Sequence, residues 1–142
     1  MDTYFDLGGY SFPVTTQSTE AQTWFDRGIL WTYGYNHEEA VTCFERAIDA
    51  DPKCAMAHWG AGYASGPNYN MPWDLFDDAG RAAAARAGYA HARKALDLID
   101  GATEWEAALI QALPARHPQS DPLDPEAMKA WNANFADAMR DV

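Results

Sequence analysis

Residues 21–52 read AQTWFDRGILWTYGYNHEEAVTCFERAIDADP, and this stretch decides the fold. Trp24, Phe25, Gly28, Ile29, Leu30 and Trp31 recur at helical spacing up to about Tyr33. Ser18 stands ahead as the N-cap, with Glu20 in the first turn, where a carboxylate suits the helix dipole. Gly34 interrupts the pattern. Asn36-His37-Glu38-Glu39 restarts it, with Asn36 as N-cap and Glu39 at N3, an asparagine variant of the capping box. The second helix carries Ala40, Val41, Phe44, Ala47 and Ile48. It stops at Asp51-Pro52, which is expected to cap the next helix with Pro52 at N1.

The two helices form a spaced pattern. With Ala21 as position 1, aromatic residues fall at 4, 11 and 24 (Trp24, Trp31, Phe44), glycine at 8 (Gly28), alanine at 20 and 27 (Ala40, Ala47), and proline at 32 (Pro52). Small residues let two helices approach, and large ones fill the gaps between them. Fainter copies follow. Gly62 repeats Gly28 at 34 residues, His58 stands for Trp24, and Tyr35-Asn36 recurs as Tyr69-Asn70. Gly66, Pro67, Met71-Pro72-Trp73 and Asp74 form an insertion. The next helix spans about Asp77 to Ile99, with Gly88, Ala92 and Ala95 at positions 20, 24 and 27. Thr103-Glu104-Trp105-Glu106 is a capping box opening a helix to about Leu113. A loop from Pro114 to Pro122 leads to a last helix capped by Asp124-Pro125.

Positions 21–52 resemble a tetratricopeptide repeat (TPR), departing from its pattern at Arg27, where leucine is usual. The resemblance implies an all-α, TPR-like stack of antiparallel helix hairpins. About three units and six helices are expected over 18–142 (about 18–52, 53–101 and 102–142), after an extended lead-in over 1–17. The strings Leu7–Val14, Asn36–Ala40, Ala55–Gly60 and Gly66–Asn70 also look like the start of large bacterial TPR-containing proteins of uncharacterised function. Those proteins are longer. The TPR family at large implies a protein or peptide partner in the concave groove, with Gln22, Phe25, Ile29 and Thr32 facing it.

The chain has 142 residues, enough for a real core, and 48% of them are hydrophobic. Twenty-one acidic against 10 basic residues give a net charge of −11. Such a surface repels nucleic acid and anionic lipid, and favours basic peptides, cations or polar small molecules. Neither a signal peptide nor a membrane-length apolar run is visible, so a cytoplasmic setting is expected. Cys43 and Cys54 fit no metal or redox spacing and read as buried free thiols. The stripe Met128, Trp131, Phe135 and Met139 has no capping helix after it. It either packs back on Trp105, Leu109 and the preceding helix, or marks a longer repeat protein or self-association through the C-terminal helix.

Chemistry concentrates at one edge. In a helix hairpin the end of the first helix meets the start of the second. Tyr33, Tyr35, Asn36, His37 and Glu38 should therefore neighbour Asn68, Tyr69 and Asn70, beside Trp73. This edge is the candidate ligand site. His37 and Glu38 offer one nitrogen and one oxygen to a metal, which needs one or two donors more. Capping explains Asn36 and Glu39, and packing explains the tyrosines. His58 reads as a hydrogen-bonded core residue, His91 as part of a solvated face, and His117 as an unassigned loop residue. No phosphate cradle, nucleophile elbow or activated cysteine appears, so no catalytic residue or cofactor is named. The leading expectation is a protein–protein or peptide interaction module. The alternative is a small-ligand- or metal-binding protein, with or without catalysis, that uses the Tyr/Asn/His edge.

Overall fold

The computed structural model describes residues 3–142; the first two residues of the expected lead-in lie outside them. The protein is all-α, with six helices among the described residues: α1 (Thr19–Tyr33), α2 (His37–Ala50), α3 (Ala55–Ser65), α4 (Asp78–Asp97), α5 (Glu104–Ala112) and α6 (Pro125–Met139). Among the described residues, no helix is long and apolar enough to cross a membrane. The caps follow local chemistry. Ser18, Asp77, Thr103 and Asp124 each accept a backbone N–H of the first helical turn, and Thr103–Glu106 makes the full reciprocal box.

α1, α2, α3 and α4 pack each on the next in chain order. The three-residue turn after α1 makes α2 run antiparallel to it. Phe44 of α2 lies between two helices that carry glycine where they face its ring. A Cβ at Gly28 or at Gly60 would fall within 3.0 Å of three Phe44 ring carbons. This is the physical content of the glycine–aromatic spacing: the ring fills a slot that only glycine leaves open.

The second unit solves the same problem differently. Gly62 faces Ala92 of α4, so the place of the large ring is held by a methyl group. The space is filled from outside the unit. Leu113 packs on Gly62, and the His117 imidazole sits against Gly88, where any Cβ would collide with it. Both residues are fully buried.

Several sequence expectations change. Asp51-Pro52 does not cap α3. Asp51 accepts from Lys53 N–H and Thr16 Oγ1 in a separate turn, and α3 begins at Ala55 without a side-chain cap. Asn36 does cap α2, but Glu39 does not return the bond: its carboxylate accepts from the Tyr4 hydroxyl. Tyr4 also accepts the Trp31 indole N–H at 2.6 Å. His91 is half-buried rather than solvated, with its ring 6.0 Å from that of His58. His58 is buried as expected and bonded to Pro52 O. Cys43 and Cys54 are buried and free, and burial pushes both thiols up.

The apolar stripe of α6 is covered, in part by α5 with Leu109 as expected and in part by elements that were not expected. Met128 and Trp131 form a second small core with Trp73 and Ala85. Phe135 meets Tyr63 of α3. The insertion thus folds down as a plug, with a 3-10 turn at Trp73–Leu75. Met128, Trp131 and Phe135 of the stripe invoked for self-association are buried inside the chain and Met139 is partly so, while Glu126, Lys129 and Asn132 of α6 are exposed.

The described part of the lead-in, from residue 3 on, is extended, and side chains pin it. Gln22 of α1 bonds the backbone on both sides of Pro13, donating to Phe12 O and accepting from Val14 N–H. Asp26 accepts from Phe12 N–H, and Glu106 of α5 accepts from both Thr15 N–H and Thr15 Oγ1 at 2.7 Å. Phe12 lies against Phe25 and Trp105. Two of the expected groove-facing residues, Gln22 and Phe25, are therefore engaged by the chain's own amino-terminal segment.

Candidate functional site

The expected edge exists. Gly34, Tyr35 and Asn36 turn the chain between α1 and α2, with their N–H groups bonded back to Leu30, Thr32 and Trp31. Tyr35 takes a left-handed backbone (φ 61°), a costly conformation for a bulky side chain. Its ring lies 6.2 Å from that of His37. Across from it, Asn68 and Met71 exchange backbone hydrogen bonds, and the Asn68 side chain accepts from Asn70 N–H. Between the two turns lies a cleft of about 390 Å³, lined by Thr32, Tyr33, Tyr35, His37, Tyr63, Pro67, Asn68, Tyr69 and Arg116.

Arg116 changes the character of this cleft. The residue is only 8% exposed. Its Nη2 donates to Tyr63 O at 3.1 Å and to Pro67 O at 2.5 Å. The guanidinium lies 4.9 Å from the Tyr63 ring centroid and 5.4 Å from that of Phe135. Its Nε is buried with no partner, and no carboxylate pairs with it among the described residues. Burial pulls the guanidinium down to about 10, which leaves it charged at neutral pH. A buried cation without a counter-ion is expensive to keep. Gly66 makes room for it: a Cβ there would lie 2.8 Å from Arg116 Nε.

The neighbouring histidines are neutral. Burial, aided by the Arg116 charge, takes His117 down to about 3. Its Nε2 therefore carries the proton given to Gly62 O at 2.8 Å, and Nδ1 is left without a partner. Burial also lowers His37, with a further contribution from Arg116. Among the described residues, Arg116 is thus the one charged side chain lining the cleft, a cation in a protein whose net charge is −11.

No known protein family, characterised protein or solved structure matches this chain.

Of the expected site residues, Tyr33, His37, Asn68 and Tyr69 meet at the cleft. Tyr69 stands at its rim, 90% exposed. Asn36 is occupied as a cap, and Asn70 is exposed in the Asn68 turn. Glu38 lines a separate groove on the far side of His37, with Val41, Ser65 and Phe76. Trp73 is not part of the site. It is 1% exposed in the small core under α6, because the insertion turns inward after Pro72. No group of three or more His, Cys, Asp or Glu side chains converges on a metal-sized position among the described residues, so His37 and Glu38 gain no third donor of those types.

Arg116 and Tyr63 were missed in the sequence. The usable signal was the pair of prolines, Pro114 and Pro118, which stiffen the loop holding Arg116 and His117. A groove of about 480 Å³ lies elsewhere, along Thr15–Ser18, Asp51, Lys53 and Glu106. Its carboxylates already accept hydrogen bonds from Thr15, Thr16 and Thr103.

Proposed function

We propose that this protein binds a small anionic molecule in the cleft between the α1–α2 turn and the 66–71 turn. The observation that carries this reading is Arg116: a buried guanidinium lining the cleft, with an unpartnered Nε and no carboxylate partner among the described residues. An anion supplies the missing charge and acceptors, and charge-assisted hydrogen bonds are the strong ones. Tyr33, Tyr35, His37 and Asn68 add neutral polar groups around it. The sequence led to an expectation of basic peptides, cations or polar small molecules, but the one charged side chain lining this cleft among the described residues is a cation.

Titration of the protein with inorganic phosphate and with acetate, followed by NMR at His37 and Asn68, tests this. Saturable shifts are expected at both residues. Arg116→Met should weaken binding about 10- to 100-fold, the value of a charged hydrogen-bonded contact. Arg116→Lys, which keeps the charge but loses the fork, should fall between the two. Absence of saturable shifts in the wild-type protein rejects the reading.

A protein or peptide partner is a second reading, favoured by the grip of Gln22 on Phe12 and Val14. Backbone bonds of that kind hold an extended chain with little regard to its sequence. A synthetic peptide of residues 9–17 should then compete with the lead-in and shift the Gln22 and Asp26 signals. Unchanged spectra in excess peptide would count against it.

A further inference from the structure

We infer that the ligand of the Arg116 cleft is an amphipathic carboxylate: an acid group joined by a short linker to one aromatic ring or short acyl group. This rests on the anion-binding reading and specifies the rest of the molecule.

An apolar space of about 240 Å³ adjoins the cleft and shares Thr32, Tyr33 and Tyr63 with it. Its other walls include Ile29, Phe44, Trp59, Leu109 and Met139, and the lead-in covers it with Tyr10 and Phe12. Apolar cavities of about 150 Å³ already take benzene. This one is large enough for one ring.

The two spaces are set in register by three helices. On α1, Ile29 faces the cavity, and Tyr33, one turn on, lines both spaces. On α3, Trp59 lines the cavity, and Tyr63, one turn on, lies beneath the guanidinium. The Trp59 and Tyr63 rings stack at 5.3 Å with 15° between their planes. On α6, Met139 lines the cavity and Phe135, one turn back, lies against Arg116. On α3 and α6, one helical turn therefore separates the apolar end from the charged end by about 6 Å. That distance suits a two- or three-bond linker between a ring and a carboxylate. A carboxylate also matches the fork of a guanidinium in plane and spacing.

The test compares four probes on the wild-type protein: acetate, inorganic phosphate, 3-phenylpropionate and its neutral amide. The phenyl acid is expected to bind about 10- to 100-fold more tightly than acetate, the gain from burying one ring. It should quench Trp59 fluorescence and give NMR contacts from its ring protons to Ile29 and Met139. The amide should bind at least about tenfold more weakly than the acid. Met139→Phe, which narrows the cavity, should bring the phenyl acid down to the affinity of acetate and leave acetate unchanged. If acetate and phosphate bind through Arg116 while the ring adds nothing, this inference falls and the anion site stands. If the amide binds as well as the acid, or no anion binds, the anion site falls with it. The probe series on the wild-type protein decides the matter even if the Met139 variant is unstable.

Discussion

Phe44→Ala should lose about 3–5 kcal/mol of stability, a large share of what a domain of this size possesses. The ring is almost wholly buried between α1 and α3, and its removal empties a slot shaped by two glycines. Denaturant melts would show a much lower midpoint with an unchanged slope. The converse substitution is equally informative. Gly60→Ala places a methyl group inside the contact distance of the Phe44 ring and should cost about 1–3 kcal/mol as overpacking. Because the two sites touch, their effects should not add. Phe44→Leu combined with Gly60→Ala should be more stable than the sum of the single losses predicts. Strict additivity would show that the slot relaxes around the ring and does not grip it.

Glu106→Gln should loosen the lead-in and cost on the order of 2–3 kcal/mol. The carboxylate is 1% exposed, and it accepts from Thr15 N–H, Thr15 Oγ1 and Thr103 N–H. An amide replaces one acceptor by a donor, which then faces N–H and O–H groups. Burial pushes this carboxyl up, but the hydrogen bonds from Thr103 and Thr15 more than offset it, and the net shift is downward. The sign of the pH dependence follows. The folded value lies below the unfolded one, so the contribution is complete above the unfolded value near 4.5 and is lost as pH falls through the folded one. Wild-type stability should drop more steeply than that of the glutamine variant in this acid range. Hydrogen exchange at Thr15 N–H should be slow in the wild type and fast in Glu106→Gln. Equal exchange in both would mean that Glu106 does not hold the segment.

How much could be read in advance depends on the range of the interactions. Helix starts at Ser18, Asn36, Asp77, Thr103 and Asp124 were legible, because a cap is decided within four residues. The spacing of Gly28 and Phe44 was legible for the same kind of reason, since one hairpin fixes both. The edge of Tyr33, His37, Asn68 and Tyr69 followed from placing two turns side by side. Other features depended on distant partners. Trp73 looked like a ligand contact, yet it fills a hole offered by Ala85, Met128 and Trp131. Arg116 and His117 sat in a loop with no periodicity, and their burial is dictated by the small residues Gly62, Gly66 and Gly88, some 30 to 55 positions earlier. A run of small residues announces that something large will dock there, but it does not say what.

The pinned lead-in has one more consequence. In an open repeat array each unit touches only its neighbours, and the end units can fray independently. Here Thr15 is tied to Glu106 across 91 positions of sequence. Thr16 is tied to Asp51, and Phe12 lies between Phe25 and Trp105. The amino-terminal segment is thereby clasped to α5, across the helices that lie between them in the chain. Opening the clasp exposes both of its sides at once, so unfolding should be all-or-none where an unclasped array would unravel unit by unit.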